Sequence, residues 1–176
     1  FFFKRDYITK DYNVTSFYSK VVDFIKKSEF PVSKEDIQNA FPGITEIMIN
    51  FSVDDPNVLN FFGEYLHSIR LSISESEKIY LRNEIEVLVS DGNVHHIRDV
   101  YEIISQEKPE ILTRNAALYP FSAYSILEYL FREEFQFMRP YIAKNGTEMS
   151  RTAERLRDFI YAKDEITVSQ IGDFAR

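Results

Sequence analysis

The stretch "YPFSAYSILEYLF", Tyr119 to Phe131, decides how the rest of the chain is read. A proline near its start marks a turn into a helix, and Ser122 is the side chain expected to cap it. The helix expected from there, Ala123 to Arg132, is apolar over most of its surface and meets its first basic residue at Arg132. A helix of that kind seeks an apolar neighbour, not a polyanion.

The same layout occurs earlier. "FPGITEIMI", starting at Phe41, aligns with "YPFSAYSIL" at an offset of 78 residues. "NFFGEYLHS" aligns with "QFMRPYIAK" at an offset of 76, setting Phe61 on Phe137, Tyr65 on Tyr141 and Leu66 on Ile142. Tyr18, Val21, Val22 and Ile25, an i, i+3, i+4, i+7 stripe, align at an offset of 79 with Ile97, Val100, Tyr101 and Ile104. "DFIYAKDEITVSQIGDFA" resembles "DFIKKSEFPVSKEDIQNAF", so a third copy is expected from about Met149, with Thr167 and Gln170 as its capping pair. A period near 77 exceeds the roughly 20 to 50 residues of common solenoid repeats and suits a small domain in tandem.

Within the first copy, a helix is expected from Ser16 to Lys27 and is stopped by Pro31. Ser33 with Asp36 starts a second, and Thr45 caps a third over Glu46 to Phe51. Ser74 with Glu77 opens a connecting helix to Ser90 that ends at Asp91-Gly92. Pro109 opens another to about Leu118. Phe135, Phe137 and Arg139 alternate as in a strand, and Asn145-Gly146 is the strongest short hairpin signal. The expected fold is mainly α with minor β.

Composition limits function. No cysteine is present, which removes disulfides and thiolate metal sites and fits a cytoplasmic setting. No apolar run approaches the roughly 18 residues of a membrane span, so no membrane partner is expected. The chain lacks an initiator Met and stops inside a pattern, so it reads as part of a longer protein. Net charge is −7, and residues 31–148 hold ten Lys/Arg against nineteen Asp/Glu, a balance that repels polyanions.

Two short helices around a tight turn, preceded by a helix and followed by a hairpin, resemble the winged-helix superfamily of helix-turn-helix domains. The resemblance covers two copies, divided as residues 1–72 and 73–148, and the start of a third at 149–176. It implies tandem winged helices in a DNA-associated, transcription-regulating protein, or else in an acidic adaptor that uses the same domains for assembly. Family members that read DNA carry basic or amide side chains on the third helix. Here "EIMINF" offers only Asn50, and Ala123 to Arg132 offers Tyr124, Ser125 and Arg132 beside Glu128, Glu133 and Glu134. The candidate phosphate contacts are therefore on the wing, Arg139 and Lys144, and at the start of the third copy, Arg151, Arg155 and Arg157. Tyr124, Leu127, Tyr129 and Phe131 are the candidate protein-interaction residues. Double-stranded DNA, a protein partner and a second copy are the expected partners, with the DNA reading slightly ahead.

Catalytic chemistry is not expected. Asp91, His95 and Asp99 recur every four residues with ligand side chains, but a turn accounts for Asp91 and a polar helix face for Asp99, so neither metal nor other cofactor is expected. Glu75, Glu77, Glu84 and Glu86 alternate with Lys78 and Arg82 as on a solvated, salt-bridged face. Phe61, Phe62, Tyr65, Phe135, Phe137 and Tyr141 could stack bases; equivalent small cores are the plainer expectation.

Overall fold

In the computed structural model, residues 16–149, the backbone of 2–4 and 7–9, and Thr167 are described. A short antiparallel hairpin, β1 (Phe2–Lys4) and β2 (Tyr7–Thr9), comes first. The chain then builds two units with the same order of elements: helix, two-residue strand, one or two helices, helix, hairpin.

The first unit contains α1 (Phe17–Lys27), β3 (Val32–Ser33), α2 (Lys34–Ala40), α3 (Glu46–Val53), β4 (Val58–Asn60) and β5 (Glu64–His67). The second contains α4 (Glu75–Leu88), β6 (His95–His96), α5 (Ile97–Glu107), α6 (Pro109–Arg114), α7 (Pro120–Phe131), β7 (Phe135–Met138) and β8 (Tyr141–Lys144). Each unit has a three-stranded antiparallel sheet with its last strand in the middle, in the orders β3-β5-β4 and β6-β8-β7.

The caps that start these helices follow the sequence in the first unit. Ser33 and Asp36, like Ser74 and Glu77 at α4, form full capping boxes, and Thr45 accepts from the Met48 amide at 3.3 Å. In the second unit, Ser122 does not cap α7. Tyr119 occupies the N-cap position with Pro120 next, and Ser122 lies buried one turn in. Pro120 needs no amide hydrogen-bond acceptor at the helix start, so the helix can begin directly at the proline. The helix opened by Pro109 ends at Arg114, short of Leu118, where Asn115 and Ala116 turn the chain.

Three repeat matches are corrected by topology. The counterpart of α1 is α4, not α5, because α4 precedes the short edge strand as α1 does; α4 is a first helix, not a connector. The counterpart of α2 is α5, whose N-cap His96 stands where Ser33 stands. In the hairpins, the residue paired to the one before that cap is Tyr65 in the first unit and Ile142 in the second. The spacing is thus 77, one residue off the sequence match, and a one-residue slip in a strand exchanges its faces. The second hairpin turns at Arg139-Pro140, joined by a cis peptide bond, and Asn145-Gly146 forms the turn after β8. A two-residue turn that already reverses the chain at Arg139-Pro140 leaves the later Asn-Gly pair no strand to connect.

Each unit has its own core, and the first hairpin belongs to both. Tyr65 points into the smaller core with Val21, Ile25, Val32, Ile37, Ile44 and Ile49. Leu59 and Leu66, cross-strand partners, point the other way into the larger core with Leu81, Ile85, Val100, Ile104, Leu127 and Phe131. The alternation of a strand therefore places one face in each unit.

The connection between the units is held at both ends. Arg70 donates to the Lys26 and Lys27 carbonyls at 3.0 Å, closing the C-terminus of α1. Asn115, 2% exposed, accepts from the Ser72 amide at 2.6 Å and donates to the Ser72 and Ile111 carbonyls at 3.2 and 2.8 Å. Asn115→Leu leaves the Ser72 N–H without its acceptor, and the expected loss is about 1–3 kcal/mol in urea denaturation.

Two histidines act as caps. His67 Nδ1 accepts from the Ile69 amide at 3.2 Å, and His96 Nδ1 accepts from the Arg98 amide at 3.0 Å. Both roles need an unprotonated Nδ1. Burial, with Lys26 beside His67 and Arg98 beside His96, holds both below the ordinary value of 6.5, against opposing pulls from Asp55 and Asp23 on His67 and from Asp99 on His96. The unfolded chain then takes up these protons first as pH falls. Their contribution is complete above pH 6.5 and is lost as pH drops below it toward the folded values. Thermal unfolding between about pH 7 and pH 5 should show this decline, and His96→Asn, a cap that does not titrate, should flatten it.

Candidate functional site: the groove between the units

Helix α7 carries seven buried residues, among them Ser122 to Leu127. It lies against β4, where Ser125 Oγ donates to the Asn60 carbonyl at 2.6 Å. That carbonyl is on the outer edge of the first sheet, so the helix covers an edge strand that would otherwise be open. At the tip of the same hairpin, Phe62 holds a left-handed backbone (φ 64°) and stacks on Phe121 at 5.6 Å. A bulky residue at positive φ is strained, and the ring contact with the second unit is what its placement gains. Phe62 nevertheless stays 78% exposed, unlike Phe61, Tyr65 and Phe135, which are buried.

Beside this contact runs an open groove of about 640 Å³. The first unit lines it with Lys34, which is paired to Glu46, and with Asn50, Asp54, Asp55 and Asn60 among others, and α7 lines it with Ser125, Glu128, Tyr129 and Arg132, spaced as one helix face. Arg139, at the β7–β8 turn, lines it from the second hairpin. Its Nη2 donates to Ser125 Oγ at 2.8 Å, and its guanidinium sits 4.9 Å from the Tyr124 ring centre. Tyr124 meets Phe137 edge-on at 5.6 Å, and its hydroxyl donates to Glu128 Oε1 at 3.4 Å.

The electrostatics of the groove follow from partial burial. Burial raises the Glu128 carboxyl above the ordinary value, opposed by Arg139 and by the Tyr124 hydroxyl. Burial, followed by the Glu128 charge, pushes the Tyr124 hydroxyl up strongly. For Asp55, burial acts upward but is outweighed by donors from Tyr18 and Asn57, which hold it below the ordinary value.

The structure separates the residues that sequence had grouped. Tyr124, Leu127 and Phe131 are not exposed for a partner: each is at most 2% exposed within the chain's own core. The fourth, Tyr129, is half-buried and faces the groove. Arg139 and Lys144 stand at opposite ends of the second hairpin. Lys144 lines a different depression, with Arg82, Glu86 and Glu134, so the two do not form one cationic face. Arg151, Arg155 and Arg157, with the rest of the third copy, lie outside the described residues. Asp91 and His95 meet through a 2.9 Å hydrogen bond, but across a 3-10 turn and β6, not along a helix, and Asp99 lies on the exposed face of α5. That bond and the Asn93 amide hold Asp91 down to about 2.

The acidic face of α4 is braced both within the helix and from α6. Arg82 pairs with Glu86 at 3.1 Å and with Glu134, and Arg114 pairs with Glu77 at 2.5 Å. No local sequence signal marks the groove: Asp54 stands in the turn-forming run Asp54-Asp55-Pro56-Asn57, and Glu128 is a single acidic residue in an apolar helix. Among the described residues no helix is long and apolar enough to cross a membrane. Compared with family models, curated proteins and solved structures, the chain matches none.

Proposed function

We propose that this chain is a non-enzymatic, acidic adaptor in which two tandem winged-helix units are joined into one body and bind protein. The observation that carries the reading is the use of α7. In a DNA-reading domain of this type the third helix is free to enter the major groove. Here its outer side is taken up by the neighbouring unit, through the hydrogen bond from Ser125 to Asn60 and the stacking of Phe121 on Phe62, while Tyr124, Leu127 and Phe131 lie in the larger core. The third helix of the first unit supports the same reading, because it presents exposed Glu46, Ile47 and Asn50 and has no Lys or Arg.

A DNA-associated regulator is the second reading. It is favoured by Lys144, exposed at the end of β8, and by the arginines at 151, 155 and 157. Fluorescence anisotropy with mixed-sequence duplex DNA, across about 50 to 200 mM salt, separates the two. The adaptor is expected to give no binding even at the lowest salt. Binding that falls steeply with salt, and is lost when Lys144, Arg151, Arg155 and Arg157 are changed together to Ala, would overturn it.

A further inference from the structure

We propose that the groove between α3 and α7 is a docking site for a peptide segment of a partner protein that carries a basic and an acidic side chain on one face. The proposal rests on the adaptor reading and names its partner-binding surface. The basic side chain of the segment reaches Asp54, and the acidic one reaches Arg132 and Arg139.

Charge placement carries the inference. Asp54 ends α3 on the first-unit side, exposed and without a hydrogen bond or ion pair among the described residues. Arg132 ends α7 on the other side, 52% exposed in its side chain, and its nearest acidic contact is the exposed Glu133 at 3.8 Å. No ion pair joins Asp54 to Arg132 among the described residues. The groove therefore presents Asp54 and Arg132 as opposite charges that do not pair with each other, with Glu128 acting on Arg132 and Arg139 from the same helix face, and a segment with the complementary pair reaches both ends.

The rest of the lining suits a polypeptide. Asn50 and Tyr129 offer polar groups whose side chains make no hydrogen bond among the described residues. An amide and a phenol are donors and acceptors suited to a peptide backbone. The floor is rigid, because Ser125 is locked between Asn60 and Arg139. A preformed floor lowers the ordering cost of binding. Duplex DNA fits less well, since Asp54 and Glu128 face whatever enters the groove.

The test is selection from a displayed library of short random peptides against the whole chain, followed by affinity measurement of the selected peptides. Enrichment of sequences with one acidic and one basic residue at a fixed spacing is expected. Asp54→Lys and Arg132→Glu should each weaken such a peptide about tenfold or more, close to 1.4 kcal/mol. The double variant should bind the peptide with its two charges exchanged. Both positions are surface helix ends, and circular dichroism of the variants checks that the fold is kept. Selected peptides that are indifferent to both variants but lost in Phe62→Ser or Phe121→Ser would overturn the groove and leave the adaptor standing. Failure to select any peptide, or duplex DNA binding that Arg132→Glu abolishes, would overturn the groove as a peptide site.

Discussion

Phe131→Ala is expected to destabilise the chain by about 3–5 kcal/mol, the usual cost of deleting a buried phenylalanine. The ring is 1% exposed and closes the end of α7, where it meets Phe135 edge-on at 6.4 Å. That geometry adds to the area lost, since edge-on aromatic pairs contribute roughly 0.5–1.5 kcal/mol beyond burial. Phe131 joins the helix to the hairpin that follows it. At this chain length the loss corresponds to a fall in Tm on the order of 10 °C. Differential scanning calorimetry checks it, and Phe131→Leu, which keeps most of the volume, should fall much less. A fall of only a degree or two in the alanine variant would mean that the second core is not packed as described.

Leu66→Ala is the second large effect, about 2–5 kcal/mol by the same principle, and its location is the informative part. Leu66 belongs by sequence to the first unit, yet its side chain is 3% exposed in the larger core of the second. Its neighbour Tyr65 faces the smaller core instead. Hydrogen exchange should therefore show amides of α5 and α7 losing protection in Leu66→Ala. Ile37→Ala, in the smaller core, should loosen α1 to α3 first. If Leu66→Ala loosened only α1 to α3, the first hairpin would not be shared, and the joining of the two units would need another cause.

Much of the local structure could be read without coordinates. The Ser33 and Ser74 capping boxes and the Thr45 cap depend on residues three apart, so short-range spacing was enough. Helical stripes such as Val21 with Ile25, and Val100 with Ile104, are buried as their period requires. The mainly α content with small sheets followed from the same local signals.

Where two signals competed, sequence misled. Ser122 looked like a cap because serine usually is one, but Pro120 could start the helix earlier. Asn145-Gly146 looked like a hairpin because the pair favours positive φ, but the chain had already reversed at Arg139-Pro140. The repeat match in the hairpins was sound in kind and wrong by one residue, because aromatic identity at Tyr65 and Tyr141 outweighed a register that only pairing with the edge strand defines.

Sequence alone determined that α7 would be an apolar helix poor in positive charge, unsuited to a phosphate backbone, since that depends only on which side chains it carries. Only the tertiary structure decided what the helix covers. The bond from Ser125 to Asn60 and a groove walled by Asp54 and Arg132 depend on residues roughly 65 or more positions apart meeting in space. No local propensity encodes such meetings, because they form only when two hydrophobic faces find each other and exclude water.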